Sequence, residues 1–272
     1  MRIILSHFAP HVAAGTAVAT AIAAAARGLG ALTTGGAIAA IVVGTCAAAA
    51  GWPWAAIVIF FFVSSTALSR LGLAAKHVRG GDRMGKAGPR DAIQVLANGG
   101  MFTAASGAFV VAPRAVFALA AMGALAAATS DTWATEVGML ASASPRSIVS
   151  GRRVRVGTSG GVTAVGFVAG IVGALAIAVG AHSLRITPGL VAPVAAGGIS
   201  GMIVDSVLGA TLQVQRHCDR CDEPAEQAAH RCGSLTRQTR GLRWLDNDGV
   251  NAAATVAGAM IAAGVHAVRA SA

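Results

Sequence analysis

Residues 114–138 read RAVFALAAMGALAAATSDTWATEVG. From Ala115 to Ala128 the run carries no charge and no polar side chain, and with its flanks it makes a candidate membrane span at 114–130, at the short end of the length that crosses a hydrocarbon core. It closes on Ser130-Asp131-Thr132-Trp133-Ala134-Thr135-Glu136-Val137-Gly138, which holds two of only 11 acidic residues in a chain of 272. An apolar span that ends in scarce carboxylates sets the terms for the rest of the chain.

Seven further stretches resemble the span at 114–130. They lie at 12–26, 31–50, 53–69, 92–111, 161–181, 190–212 and 250–268, separated by Gly- and Pro-containing breaks. The first is short and nearly all Ala. The chain is 55% hydrophobic and 12% charged, with 35 Gly, and this composition suits membrane helices that approach through small residues. The prediction is an all-α, polytopic integral membrane bundle of about seven or eight transmembrane helices, a single transmembrane domain over residues 1–272. Pro10 and His11 interrupt the apolar run after Arg2, so no cleavable signal is expected and the chain is read as retained in the cell (plasma) membrane.

The net charge of +10 has a topological explanation. With loops assigned alternately, 17 Lys/Arg residues fall on the side of Arg27 and the loops 70–91, 131–160 and 213–249, and four fall on the other. The positive-inside rule then puts the long loops in the cytoplasm and both termini outside, with Trp52 and Trp54 at the outer interface. Basic residues distributed in this way argue against a nucleic-acid partner and for membrane lipid.

Three carboxylates need a reason. A charge near the bilayer centre costs about 2.5–3.5 kcal/mol on insertion scales, so it normally faces a cavity, a cation or a partner. Asp131, Glu136 and Asp205 are read as ligands of a divalent cation, Mg²⁺ by the hardness of the oxygens; the plainer reading makes Asp131 a helix cap and pairs Glu136 and Asp205 with Arg. Asp131 and Asp205 are each followed by a hydroxyl residue and then by small residues ending in Thr, which hints at an internal repeat.

Gly157-Thr158-Ser159-Gly160-Gly161 directly precedes an apolar span, and small residues there let backbone N–H groups point at an anion. With Arg152, Arg153 and Arg155 beside it, a phosphate site is expected; the alternative is a loop with arginines at the membrane surface. Arg83, Lys86 and Arg90 in the loop 70–91 are further phosphate candidates, and Asn98 in the next span is an amide that needs a partner. Asn247, Asp248 and Asn251 stand at the mouth of the last span, where they complete a metal or phosphate shell or, for Asp248, cap a helix. In the loop 213–249, Cys218, Cys221, His230 and Cys232 have the donor types of a closed structural Zn²⁺ site.

The chain also resembles a family of uncharacterised integral membrane proteins that includes the plant phytyl-phosphate kinase. The stretches that carry the resemblance are GALTTGGAIAAIVVGT (30–45), FFVSSTALSRLG (61–72), QVLANGG (94–100), SDTWATEVG (130–138), GTSGGV (157–162), DSVLGATLQ (205–213), HRCG (230–233) and RGLRWLDNDGVN (240–251). The resemblance implies a membrane kinase that converts an isoprenyl (phytyl-like) monophosphate to the diphosphate with a nucleoside triphosphate, CTP. That chemistry needs mostly positioning and charge neutralisation, for which Mg²⁺, Arg and Lys serve. The intramembrane carboxylates equally suit a transporter or lipid flippase coupled to ions, and a cytidylyltransferase is a third reading.

Overall fold

The computed structural model describes residues 2–80, 88–225, 227–230 and 232–271. Nine helices are present among them: α1 (Arg2–Gly28), α2 (Thr34–Ala50), α3 (Trp52–Arg70), α4 (Leu73–Gly80), α5 (Ala92–Val111), α6 (Ala115–Gly138), α7 (Ala164–Ser183), α8 (Val191–Thr211) and α9 (Asn247–Ser271). Six of these, α3 and α5 to α9, are long and apolar enough to cross a membrane. The apolar part of α1 (Val12–Gly28) and α2 are shorter apolar helices. The chain is an all-α polytopic membrane bundle.

α6 is the axis, with 67% of its span buried. It packs against α3, α5, α7, α8 and α9. Backbones meet closely because the touching residues are Gly and Ala. A Cβ on Gly123 of α6 would meet Gly258 O of α9 at 2.5 Å, and one on Gly197 of α8 would meet the same oxygen at 2.5 Å. α7 shows the division between faces: Gly166, Gly170, Gly173 and Ile177 are buried, while Val165, Val168, Val172, Leu175 and Val179 are exposed at helical spacing. Small residues inside and branched apolar ones outside suit a helix with one face on protein and the other on lipid. α1 and α2 pair with each other, and α2 joins them to the bundle through α5.

Local chemistry explains where helices start. Thr33 and Thr163 cap α2 and α7 by accepting from the N–H of Gly36 and Gly166. Asp91 and Gln94 make a reciprocal capping box at the start of α5. Pro53 occupies the first turn of α3, where a missing N–H does no harm.

The turn at 29–33, α4 and the two long connections gather at one end. Arg90 exchanges backbone bonds with Ala31 and Thr33, at 3.0 Å each. Arg79 of α4 donates to the carbonyls of Met139 and Ala141. The connection after α6 forms a two-stranded ribbon of β1 (Arg146–Ser147) and β2 (Gly161–Val162). The connection after α8 forms an antiparallel sheet in the order β4-β3-β5, from β3 (Gln215–Cys218), β4 (Glu223–Ala225) and β5 (Arg237–Arg240).

Two local expectations are corrected. The sixth helix ends at Gly138 rather than at residue 130, so Asp131 and Glu136 are helical and not in a loop. Trp52 is exposed, but Trp54 is buried, with its ring centroid 4.8 Å from that of Phe109, so it packs inside the bundle instead of facing an interface.

Candidate functional site

A cavity of about 800 Å³ runs between α1, α2, α3, α5 and α6 to the end where the loops gather. Its α3 wall extends from Trp52 through Ala55, Ile59, Phe62 and Thr66 to Ser69, about 25 Å at 1.5 Å per residue. One end is therefore apolar and enclosed by small or aromatic residues, including Gly15, Gly44 and Ala48. The other end is polar.

At the polar end the carboxyl groups of Asp131 of α6 and Asp205 of α8 face each other across the helix interface, within electrostatic reach. Asp205 Oδ2 is buried and has no hydrogen-bond partner among the described residues. Two ionised carboxylates at that range repel each other, so the pair needs a shared proton or a cation. Oxygen donors with one orphaned oxygen fit a hard divalent ion. The glycine-containing turn stands beside them. Gly160 lies against α8, where a Cβ would meet Ser206 O and Ala210 N at 2.5 Å each; its φ of +73° is also one that side chains rarely adopt. Within the turn Gly161 N donates to Thr158 O (2.9 Å) and Thr158 N to Arg155 O (3.1 Å). The N–H groups of Gly157, Ser159 and Gly160 have no backbone acceptor among the described residues. Such a turn can receive an anion.

Asn98, Asn247 and Asn251 line the same cavity, joined by Gln94 and Gln213. Asn98 Nδ2 donates to Gln94 O at 3.0 Å. Glu136 lines it as well, with both oxygens engaged: Oε2 lies 2.6 Å from Lys76 Nζ, and Oε1 accepts from Ser69 Oγ at 2.7 Å. Arg90 donates to Ser69 Oγ at 3.3 Å and lines the cavity, as does Arg70.

The remaining expected residues lie elsewhere. Arg152, Arg153 and Arg155 are exposed on the ribbon connection and do not line the cavity, although Gly157 to Gly161 do. Asp248 is buried in the first turn of α9 and lines a smaller neighbouring cavity. Arg83 and Lys86 lie outside the described residues. Arg70, Gln94 and Gln213 were not singled out from the sequence. Arg70 and Gln94 follow from helical spacing once α3 and α5 are known to face one cavity, whereas Gln213 depends on how the chain leaves α8.

Cys218, Cys221, His230 and Cys232 bring one ligand atom each within 4.8 Å of one another. Cys218 Sγ and Cys232 Sγ are 3.7 Å apart, close to the ~3.8 Å edge of a tetrahedron with ~2.3 Å metal–sulfur bonds. His230 Nδ1 is 3.2 Å from Cys232 Sγ. Hydrogen bonds from Ser234, and then His230, lower the Cys232 pKa to about 5. The cluster has the geometry of a structural metal site.

A membrane-embedded helix bundle with a carboxyl pair, amides and a glycine turn around one cavity defines a polytopic membrane protein with an internal polar site. The chain belongs to the family described as integral membrane protein DUF92, whose model matches residues 17–259. Protein PGR of Arabidopsis thaliana is 31% identical over 249 residues, which cover 81% of this chain and 84% of that protein. Uncharacterized membrane protein MJ0933 of Methanocaldococcus jannaschii is 32% identical over 168 residues, covering 60% of this chain and 66% of that one. No solved structure matches the chain.

Proposed function

We propose that this protein is a membrane kinase that phosphorylates an isoprenyl (phytyl-like) monophosphate to the diphosphate with a nucleoside triphosphate, CTP being the expected donor. The observation that carries the reading is the two-ended cavity. Its apolar length along α3 suits an isoprenoid tail, and its polar end suits the phosphates that react. Asp131 and Asp205 would hold Mg²⁺, which when bound supplies charge neutralisation to the phosphates. The free N–H groups of the Gly157–Gly161 turn receive phosphate oxygens, and Arg90 and Arg70 add positive charge from the facing wall.

An oxygen of the acceptor monophosphate attacks the γ-phosphorus, and the bond from that phosphorus to the bridging oxygen of the donor breaks. The products are the isoprenyl diphosphate and the nucleoside diphosphate. The acceptor oxygen is already anionic, so no strong base is required. Glu136, held at both oxygens, serves as a positioning residue that fixes Ser69 and, through it, Arg90. In this reading the loops around the polar end face the cytoplasm, where the nucleotide arrives, and the Cys₃His cluster carries a structural Zn²⁺. The membrane is the plasma membrane, and both termini lie outside.

Purified protein incubated with an isoprenyl monophosphate, Mg²⁺ and each of the four nucleoside triphosphates tests the reading. Formation of the isoprenyl diphosphate with release of a nucleoside diphosphate is expected. Release of pyrophosphate would point to a cytidylyltransferase, and no product with any donor removes the kinase. A second reading, an ion-coupled transporter or lipid flippase, draws on the carboxyl pair between two spanning helices and the length of the cavity. Lipid movement in reconstituted vesicles without chemistry would favour it.

A further inference from the structure

Beside the polar end of the main cavity lies a second one of about 260 Å³, in the angle between the starts of α5 and α9 and the β3–β4–β5 sheet. We propose that it is the nucleoside subsite, holding the base of the donor nucleotide whose phosphates occupy the main cavity. This rests on the kinase reading and adds to it the place and chemistry of donor recognition.

Continuity is the first support. Gln94, Gln213 and Asn247 line both cavities, so one ligand can extend from the glycine turn into the smaller space. Size is the second. About 260 Å³ is room for a base and part of its sugar.

The third support is chemical. A base presents an alternating edge of donors and acceptors in one plane, and amide side chains match such an edge. Gln94 Oε1 is taken by the N–H of Asp91, which leaves its amide nitrogen as donor. Asp246 Oδ1 caps α9 by accepting from Gly249 N at 3.0 Å, which leaves the other oxygen to accept from an exocyclic amine or a ribose hydroxyl. Arg216 and Arg243 add planar guanidinium groups of the kind that stack on base faces. Only Val214 and Ala228 are apolar among the lining residues, so the space does not suit a lipid tail.

The metal-type cluster stands directly behind this wall. Arg216 is two residues before Cys218, and Ala228 is two before His230. A bound ion would hold both sides of the subsite.

The test uses full-length protein in lipid nanodiscs and reads equilibrium binding of each nucleoside triphosphate against inorganic tripolyphosphate, both with Mg²⁺. At least one nucleotide should bind roughly tenfold more tightly than tripolyphosphate. Arg243→Ala and Gln227→Ala, which remove two exposed lining side chains of the smaller cavity, should erase that preference and leave tripolyphosphate binding in place. If both variants keep the wild-type preference, or wild type has none, the subsite is refuted. Turnover of the isoprenyl monophosphate is read in parallel. A refuted subsite with diphosphate still formed leaves the kinase reading standing, whereas no product and no binding of either anion removes both.

Discussion

Lys76 Nζ lies 2.6 Å from Glu136 Oε2, and the lysine side chain is fully buried although it belongs to a short helix beside the bundle. Nζ also donates to Leu68 O at 2.6 Å. The pair ties α4 to α6 and to the end of α3. Removing one member of a buried ion pair leaves the other uncompensated, at a cost of about 3–5 kcal/mol. Lys76→Met should therefore lower the apparent melting temperature in detergent, and the double variant Lys76→Met/Glu136→Leu should recover most of the loss. A melting temperature for Lys76→Met equal to wild type would show that the pair does not hold α4.

Asp131 and Asp205 act as one unit in the proposed site, so their losses should not add. Asp131→Asn and Asp205→Asn should each reduce turnover roughly 10²-fold or more, the scale on which removal of one electrostatic stabiliser acts. The double variant should be little worse than either single one. Unchanged melting temperatures and weaker Mn²⁺ binding by electron paramagnetic resonance would separate a lost site from a lost fold. Additive losses would mean that the two carboxylates serve separate sites.

The spans themselves were legible, because uninterrupted apolar runs have few other places to go. The end of α6 was not. Polarity at Asp131 and Glu136 looked like an exit from the membrane, yet their partners Asp205 and Lys76 lie 74 and 60 residues away in the chain. A partner at that distance turns a polar stretch into half-buried helix packed against its neighbours. Lys76 looked like one more loop cation for the same reason. The place of the glycine turn beside the next span was legible, since small residues before a span have a local meaning, and Gly157 to Gly161 do line the cavity. Arg152, Arg153 and Arg155 shared its neighbourhood in sequence, but the ribbon turns them outward. The cysteine and histidine spacing was legible as a metal cluster, although nothing in it revealed that the sheet it staples also walls the second cavity.

Gly160 and Gly151 both have left-handed backbones, with φ of +73° and +67°, but they differ in surroundings. A Cβ at Gly151 would meet nothing within 4 Å, while one at Gly160 would strike the backbone of α8. Gly151→Ala should cost only the ~1–2 kcal/mol of the unfavourable conformation. Gly160→Ala should add about 1–3 kcal/mol of overpacking and push the turn away from Asp205. Melting curves and turnover of the two variants check this: Gly151→Ala should remain active, and Gly160→Ala should lose both stability and activity. Equal behaviour would mean that the turn can move away from α8 without consequence.

Metal removal should act on the second cavity before it acts on the bundle, because Cys218, Cys221, His230 and Cys232 belong to the sheet-bearing connection and not to a spanning helix. Elemental analysis should find about one zinc per chain. The ligands bind as thiolates and neutral imidazole, so acidification should weaken the metal. Without metal, the Cys232 pKa is lowered to about 5, mainly by Ser234, whereas the Cys221 pKa is raised to about 11, mainly by its hydrogen bond to Cys232. The lowered Cys232 pKa favours the folded connection above the usual thiol range, and that support is lost as pH falls through about 5. The raised Cys221 pKa favours it below the usual range, and that support is lost as pH rises through about 11. Zinc must displace the Cys221 proton, so calorimetry in buffers of different ionisation enthalpy should detect proton release on metal binding at neutral pH. Cys218→Ser or a strong chelator should abolish the preference for nucleotide over tripolyphosphate while circular dichroism retains the helical signal. Collapse of the helical signal together with metal loss would instead make the cluster a requirement for the whole bundle.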